Sequence, residues 1–139
     1  MEKTILIVDD EKEAHELIKL HLMNLNVKIY SAYNGAEGIR LYKELMISGK
    51  KPDLVIIDLN LSGSKKLRDV IKQIRGEKID GVKTTKEILR MDANANIIGF
   101  TAYANLEWGK KLKEAGAKEV YWKKMGFEDF VKKIIQILM

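Results

Sequence analysis

Short apolar, β-branched runs alternate along the chain with stretches in which apolar residues return every three or four positions. The runs are Thr4 to Val8 (TILIV), Val27 to Ala32, Leu54 to Ile57 (LVII), Asn96 to Thr101 (NIIGFT) and Lys118 to Trp122 (KEVYW), and each predicts a strand. Between them, Glu11 to Leu25 places Ala14, Leu17, Ile18, Met23 and Leu25 at helical spacing. Asn34-Gly35 opens a second helix with a stripe through Ala36, Ile39, Leu41, Leu45 and Met46 that stops near Gly49. Asp80 to Met91, Tyr103 to Ala115 (closed by Gly116) and Phe127 to Leu138 predict three more helices, the last with Phe130, Val131, Ile134, Ile135 and Leu138 on one face. Five strands alternating with helices imply right-handed crossovers and a largely parallel sheet covered by helices on both faces.

One segment breaks the alternation. Ser62 to Ile79 follows the third strand and carries Leu67, Val70, Ile71 and Ile74 at i, i+3, i+4 and i+7, which predicts a short amphipathic helix ending near Gly76 behind a polar Ser62-Gly63-Ser64 lead-in. It holds six basic residues (Lys65, Lys66, Arg68, Lys72, Arg75, Lys78) against Asp69 and Glu77, so most of the chain's net charge of +5 sits here. A solvated helix face is the simpler reading of that charge; a surface for nucleic acid or an acidic partner is the sharper one.

Composition narrows the class. At 139 residues the chain is expected to form one domain, 1–139, and with 46% hydrophobic and 32% charged residues it reads as a globular protein. Cysteine is absent, which excludes disulfides and thiolate chemistry. The opening MEKTILIVDDE has too short an apolar run for a signal peptide or membrane span, so a cytoplasmic location without membrane contact is expected.

The strand ends carry the candidate chemistry. Asp9 and Asp10 follow the first strand, Asp58 the third, Thr101 closes the fourth, and Lys123 follows the fifth. In a parallel sheet these positions share one edge, where ligands of open α/β folds bind. Carboxylates gathered there repel unless a cation, a cationic neighbour or a retained proton intervenes. Oxygen ligands without cysteine favour Mg2+ or Mn2+ over zinc. A carboxylate, a hydroxyl, a lysine and such an ion together suit phosphoryl transfer. His15 and His21, on the first helix, are expected to be surface or partly packed residues away from the carboxylates, and Trp108 and Trp122 core or partner-surface residues.

Taken together, ILIVDDE, DLVIIDLNL, the DG before a helix, IIGFTAYA and GAKEVYWKK resemble the receiver domain of two-component response regulators, the single-domain chemotaxis-regulator type in particular. The resemblance implies a flavodoxin-like, doubly wound α/β fold of five parallel strands. It implies that Asp58 is the phosphoacceptor, served by the phosphohistidine of a sensor histidine kinase or phosphotransfer protein. Asp10, Asp58 and the Asn60 backbone carbonyl would ligate Mg2+, with Asp9 acting through a metal-bound water. Thr101 would bond the phosphoryl group and Lys123 would pair with it, while the side chains of Asn60 and Tyr103 would govern the access of water. Output would be a contact with a downstream protein, made through the fourth helix, fifth strand and fifth helix. The domain would be a signalling phosphoacceptor that assists its own phosphorylation and dephosphorylation, rather than a conventional enzyme.

Three departures from the family pattern stand out. The proline expected after the lysine is Lys124, so the bond before it is expected to relax to trans and to shift Lys123. The position of the family's aromatic switch residue is Val120, with Tyr121 and Trp122 pointing to opposite faces. The Asp58-to-Gly81 distance is 23 positions, and the interval holds the inserted basic helix 62–79, with Ser62 where a proline is expected. A phosphorylation-silent interaction module, gated by that insert, is therefore one alternative, and a nucleic-acid-binding protein using the insert another, less favoured. A metal-dependent phosphohydrolase fits less well, because Asn60 stands where an acid would be needed.

Overall fold

The computed structural model describes residues 2–61, 80–102, 104 and 106–139, apart from the side chains of Leu106 and Trp108. The predicted helix within 62–79, Tyr103 and the Trp108 ring lie outside the described residues. The elements run β1 (Lys3–Val8), α1 (Lys12–Leu22), β2 (Val27–Ala32), α2 (Gly35–Ile47), β3 (Leu54–Ile57), α3 (Gly81–Met91), β4 (Ile97–Thr101), α4 (Leu106–Ala115), β5 (Glu119–Trp122), a 3-10 turn (Lys123–Met125) and α5 (Phe127–Leu138).

All neighbouring strands pair in parallel, in the order β2-β1-β3-β4-β5. The central strands β1, β3 and β4 bury both faces, which is why their sequences are nearly continuous apolar runs. Alternation divides them between two cores. Leu6, Val8, Val55, Ile57 and Ile97 face Tyr42 of α2, Ile88 of α3 and Leu112 of α4. Ile5, Ile7, Leu54, Ile56, Ile98 and Phe100 face Ile18 and Leu22 of α1 and Phe130, Val131 and Ile134 of α5. On that second face the Phe100 and Phe130 rings stack with centroids 3.6 Å apart, fixing α5 across β4.

The helices thus switch faces between β1 and β3, and the crevice opened by such a switch lies outside the carboxyl ends of the strands. Most element ends fall within one or two residues of the expected ones, the usual scatter. Two helices depart further. The first stops at Leu22 rather than Leu25, because Met23 and Leu25 find no core to enter and remain exposed, and the chain turns through the Leu25 N–H to Leu22 carbonyl bond. The helix expected from Tyr103 begins at Leu106. Among the described residues no helix is long and apolar enough to cross a membrane.

Candidate functional site

The register of the sheet carries the polar strand ends to one edge. Val8 pairs with Ile57, Ile57 with Gly99, and Thr101 with Trp122. Asp9, Asp58, Thr101 and Lys123 therefore emerge side by side, and the Asp58 N–H donates to the Val8 carbonyl at 2.9 Å, stitching the first two together. Asp9, Asp58 and Thr101 are buried.

The Lys123 ammonium sits between the carboxylates. Its Nζ is 2.8 Å from Asp9 Oδ2, 3.2 Å from Asp58 Oδ2 and 3.7 Å from Glu11 Oε1. The Thr101 hydroxyl hydrogen-bonds the Asp58 carboxylate. Asp9 Oδ1 accepts the Glu11 N–H at 2.9 Å, and the Asn60 N–H approaches Asp58 Oδ1 at 3.4 Å. Asp9, Asp10 and Asp58 each present a carboxylate oxygen within 4.8 Å of the others.

These positions set the electrostatics. Burial pushes the Asp9 carboxyl up to about 7, and the charge of Asp58 adds to the rise, against the opposing pull of Lys123. Burial raises Asp58 as well, while Lys123 and the Thr101 hydroxyl draw it down. Burial works against the Lys123 ammonium, but Asp58 and Asp9 more than offset it and hold the group above its ordinary value. Fully ionised, the three carboxylates outweigh the one ammonium by two charges, the deficit that a divalent cation supplies. The donor set is all oxygen and the spacing suits one small ion after slight closing, so the residues fit Mg2+ or Mn2+.

The start of α3 lies close against Asp58 and Leu59. A Cβ at Gly81 would lie 2.3 Å from the Asp58 carbonyl oxygen and 2.8 Å from Leu59 Cα, so only glycine lets α3 start here. The Gly81 N–H bonds the Leu59 carbonyl at 3.1 Å. Asp80 caps α3 by accepting the Lys83 N–H at 2.8 Å, and its other carboxylate oxygen is buried with no hydrogen-bond partner among the described residues. Burial raises its pKa.

Beyond β5, the Lys123–Lys124 bond is trans, since no cis bond occurs among the described residues. The shift of Lys123 expected from that departure does not keep its ammonium from either carboxylate. The 3-10 turn over Lys123–Met125 carries the chain to Gly126, whose φ of 91° requires glycine before α5 begins. Val120 packs toward the α4 face beside Gly99, and Tyr121 packs on the opposite face against Phe130. The Trp122 indole N–H donates to the Ala102 carbonyl at 3.2 Å, with Lys124 over its ring.

One expectation requires correction. His15 is neither a surface residue nor remote from the acidic cluster. It is fully buried, with Nε2 2.7 Å from the Asp9 carbonyl oxygen and Nδ1 2.9 Å from Ser31 Oγ. The available signal was its spacing: His15, Ile18 and Leu22 form one inward stripe on α1, whose first turn abuts Asp9. His21 is exposed and bonds the Leu17 carbonyl.

Comparison with known proteins adds an independent line. The family model for the response regulator receiver domain matches residues 5–135. The chain is 33% identical over 117 residues to the chemotaxis protein CheY of Halobacterium salinarum, covering 84% of this chain and 81% of that one. It is 26% identical over 140 aligned positions to the sporulation initiation phosphotransferase F of Bacillus subtilis, covering 99% and 97%. A crystal structure of a CheX–CheY complex with BeF3 and Mg2+ from Borrelia burgdorferi superposes with a TM-score of 0.77 at 20% identity, covering 99% of this chain and 90% of that one. A CheY-like receiver from Methanospirillum hungatei superposes at 0.74 with 22% identity, over 98% and 93%. At these identities the structural likeness concerns the fold.

Proposed function

The chain belongs to the response regulator receiver domain family, and from that premise we propose that it is a signalling phosphoacceptor whose acceptor is Asp58. The observation that carries this reading is the Lys123 ammonium held 3.2 Å from Asp58 Oδ2 and 2.8 Å from Asp9 Oδ2, inside a cluster of three carboxylates.

An ionised Asp58 oxygen attacks the phosphorus of a phosphohistidine on a sensor histidine kinase or phosphotransfer protein. The new P–O bond forms as the P–N bond breaks, and the electron pair leaves on the histidine nitrogen. Asp10, Asp58 and the Asn60 carbonyl would hold Mg2+ or Mn2+ directly, with Asp9 acting through a water. When bound, the ion offsets charge on the phosphoryl oxygens. Lys123 bridges Asp9 and Asp58 before transfer and pairs with the phosphoryl group after it. The Thr101 hydroxyl, bonded to the acceptor carboxylate, exchanges that contact for a phosphoryl oxygen. Signal output is then a phosphorylation-dependent contact with a downstream protein through α4, β5 and α5, in the cytoplasm. The receiver unit spans 1–139, with 62–79 as an insertion in sequence between Asp58 and Gly81.

A titration with beryllofluoride and Mg2+, followed by tryptophan fluorescence, tests the pocket. Trp122 bonds the carbonyl next to Thr101, so a saturable change that requires Mg2+ and is lost in Asp58→Asn is expected. An unresponsive wild-type protein would refute the assignment.

A further inference from the structure

The imidazole of His15 is buried against the backbone that presents the acidic pair. A carbonyl oxygen only accepts, so the 2.7 Å contact with Asp9 requires the ring proton on Nε2. In the neutral ring Nδ1 then accepts from the Ser31 hydroxyl at 2.9 Å. Burial favours that neutral form, as do the charges of Lys19 and Lys123, against the Asp9 carbonyl contact. The Tyr33 ring lies against the imidazole at a centroid distance of 4.4 Å.

The Asp9 carbonyl belongs to the peptide joining Asp9 to Asp10. That unit is planar, so a bond fixing its oxygen also fixes the direction in which Asp10 leaves the strand. The Asp9 N–H is already held by the Ala32 carbonyl at 3.1 Å, and its Oδ1 by the Glu11 N–H at 2.9 Å. Carbonyl, amide and carboxylate of Asp9 are thus anchored to three different segments: α1, β2 and the turn into α1.

We propose that His15 is a positioning residue for the divalent-cation site, clamping the Asp9–Asp10 peptide between α1 and Ser31 of β2 so that both carboxylates face Asp58. The inference rests on the metal-dependent reading above. A neutral donor suits the task, because it orders the loop without adding a second cation to a cluster that already holds Lys123. Its action is on cation affinity through Asp9 and Asp10, not on the phosphoryl group.

Mg2+ alone is titrated calorimetrically into wild type, His15→Leu and His15→Gln, with thermal unfolding measured alongside. His15→Leu is expected to weaken Mg2+ binding about tenfold, as loss of an outer hydrogen bond to a metal site does. His15→Gln, which keeps an N–H at the reach of Nε2, is expected to recover most of that loss. Equal Mg2+ affinity in wild type and His15→Leu would overturn the role of His15 alone. Failure of the wild type to bind Mg2+ would overturn the metal-dependent reading and this inference with it. Long-range nitrogen–proton correlation spectra of the wild type give a second readout that no folding defect can spoil. The Nε2–H tautomer is expected, and an Nδ1–H tautomer would overturn the clamp.

Discussion

Asp9 and Lys123 share one short ion pair, and each answers differently to pH. Asp9 titrates about 7 in the folded chain against an ordinary 3.8, so between those values the folded state binds the extra proton. Stability from this group is full below pH about 4 and is lost as pH rises to about 7, an effect on the order of a few kcal/mol. Asp58, also raised, acts with the same sign. In chelator, the melting temperature of the wild type is expected to fall across that interval more steeply than that of Asp9→Asn, and Mg2+ should flatten the wild-type curve. Parallel curves for the two proteins would count against a strained acidic cluster. The gathering of Asp9, Asp10, Asp58, Thr101 and Lys123 is legible in the sequence because a parallel sheet brings its strand ends to one edge. The place of His15 is not. Its helical stripe says that it points inward, but only the crossing of α1 over β2 says that it meets Ser31 and the Asp9 carbonyl.

At the level of elements, the site depends on how closely α3 begins against the end of β3. Gly81→Ala would drive a methyl group against the Asp58 carbonyl oxygen, where backbone cannot yield as a flexible side chain would. Overpacking of this kind costs about 1–3 kcal/mol. Urea unfolding should show a loss in that range, with beryllofluoride affinity falling in step as the Asp58–Leu59 backbone shifts. A variant as stable and as competent as wild type would mean that the approach of α3 is immaterial. The strands were readable as apolar runs, because β1, β3 and β4 are buried on both faces. The end of α1 was not, since Met23 and Leu25 continue the apolar pattern while lying beyond the core that would hold them. Likewise, Asp80-Gly81 announces a helix start in sequence, whereas the contact that makes the glycine necessary joins residues more than twenty positions apart.

For the molecule as a whole, the doubly wound order β2-β1-β3-β4-β5 separates two jobs. Two cores, one under α1 and α5 and the other under α2, α3 and α4, cover the two faces of the sheet. The carboxyl edge of that sheet is left to carry charge that the cores exclude. The departure after Lys123 leaves its ammonium in reach of both carboxylates, because Lys123 directly follows β5 and strand register sets where that strand ends. Asp58 is the proposed acceptor of the phosphoryl group at that edge. Intact-mass measurement after incubation with acetyl phosphate and Mg2+, with peptide mapping, tests that role most directly. A single added phosphoryl group on Asp58, abolished by chelation and by Asp58→Asn, is the expected result; undiminished labelling of Asp58→Asn, or none in the wild type, would contradict the account.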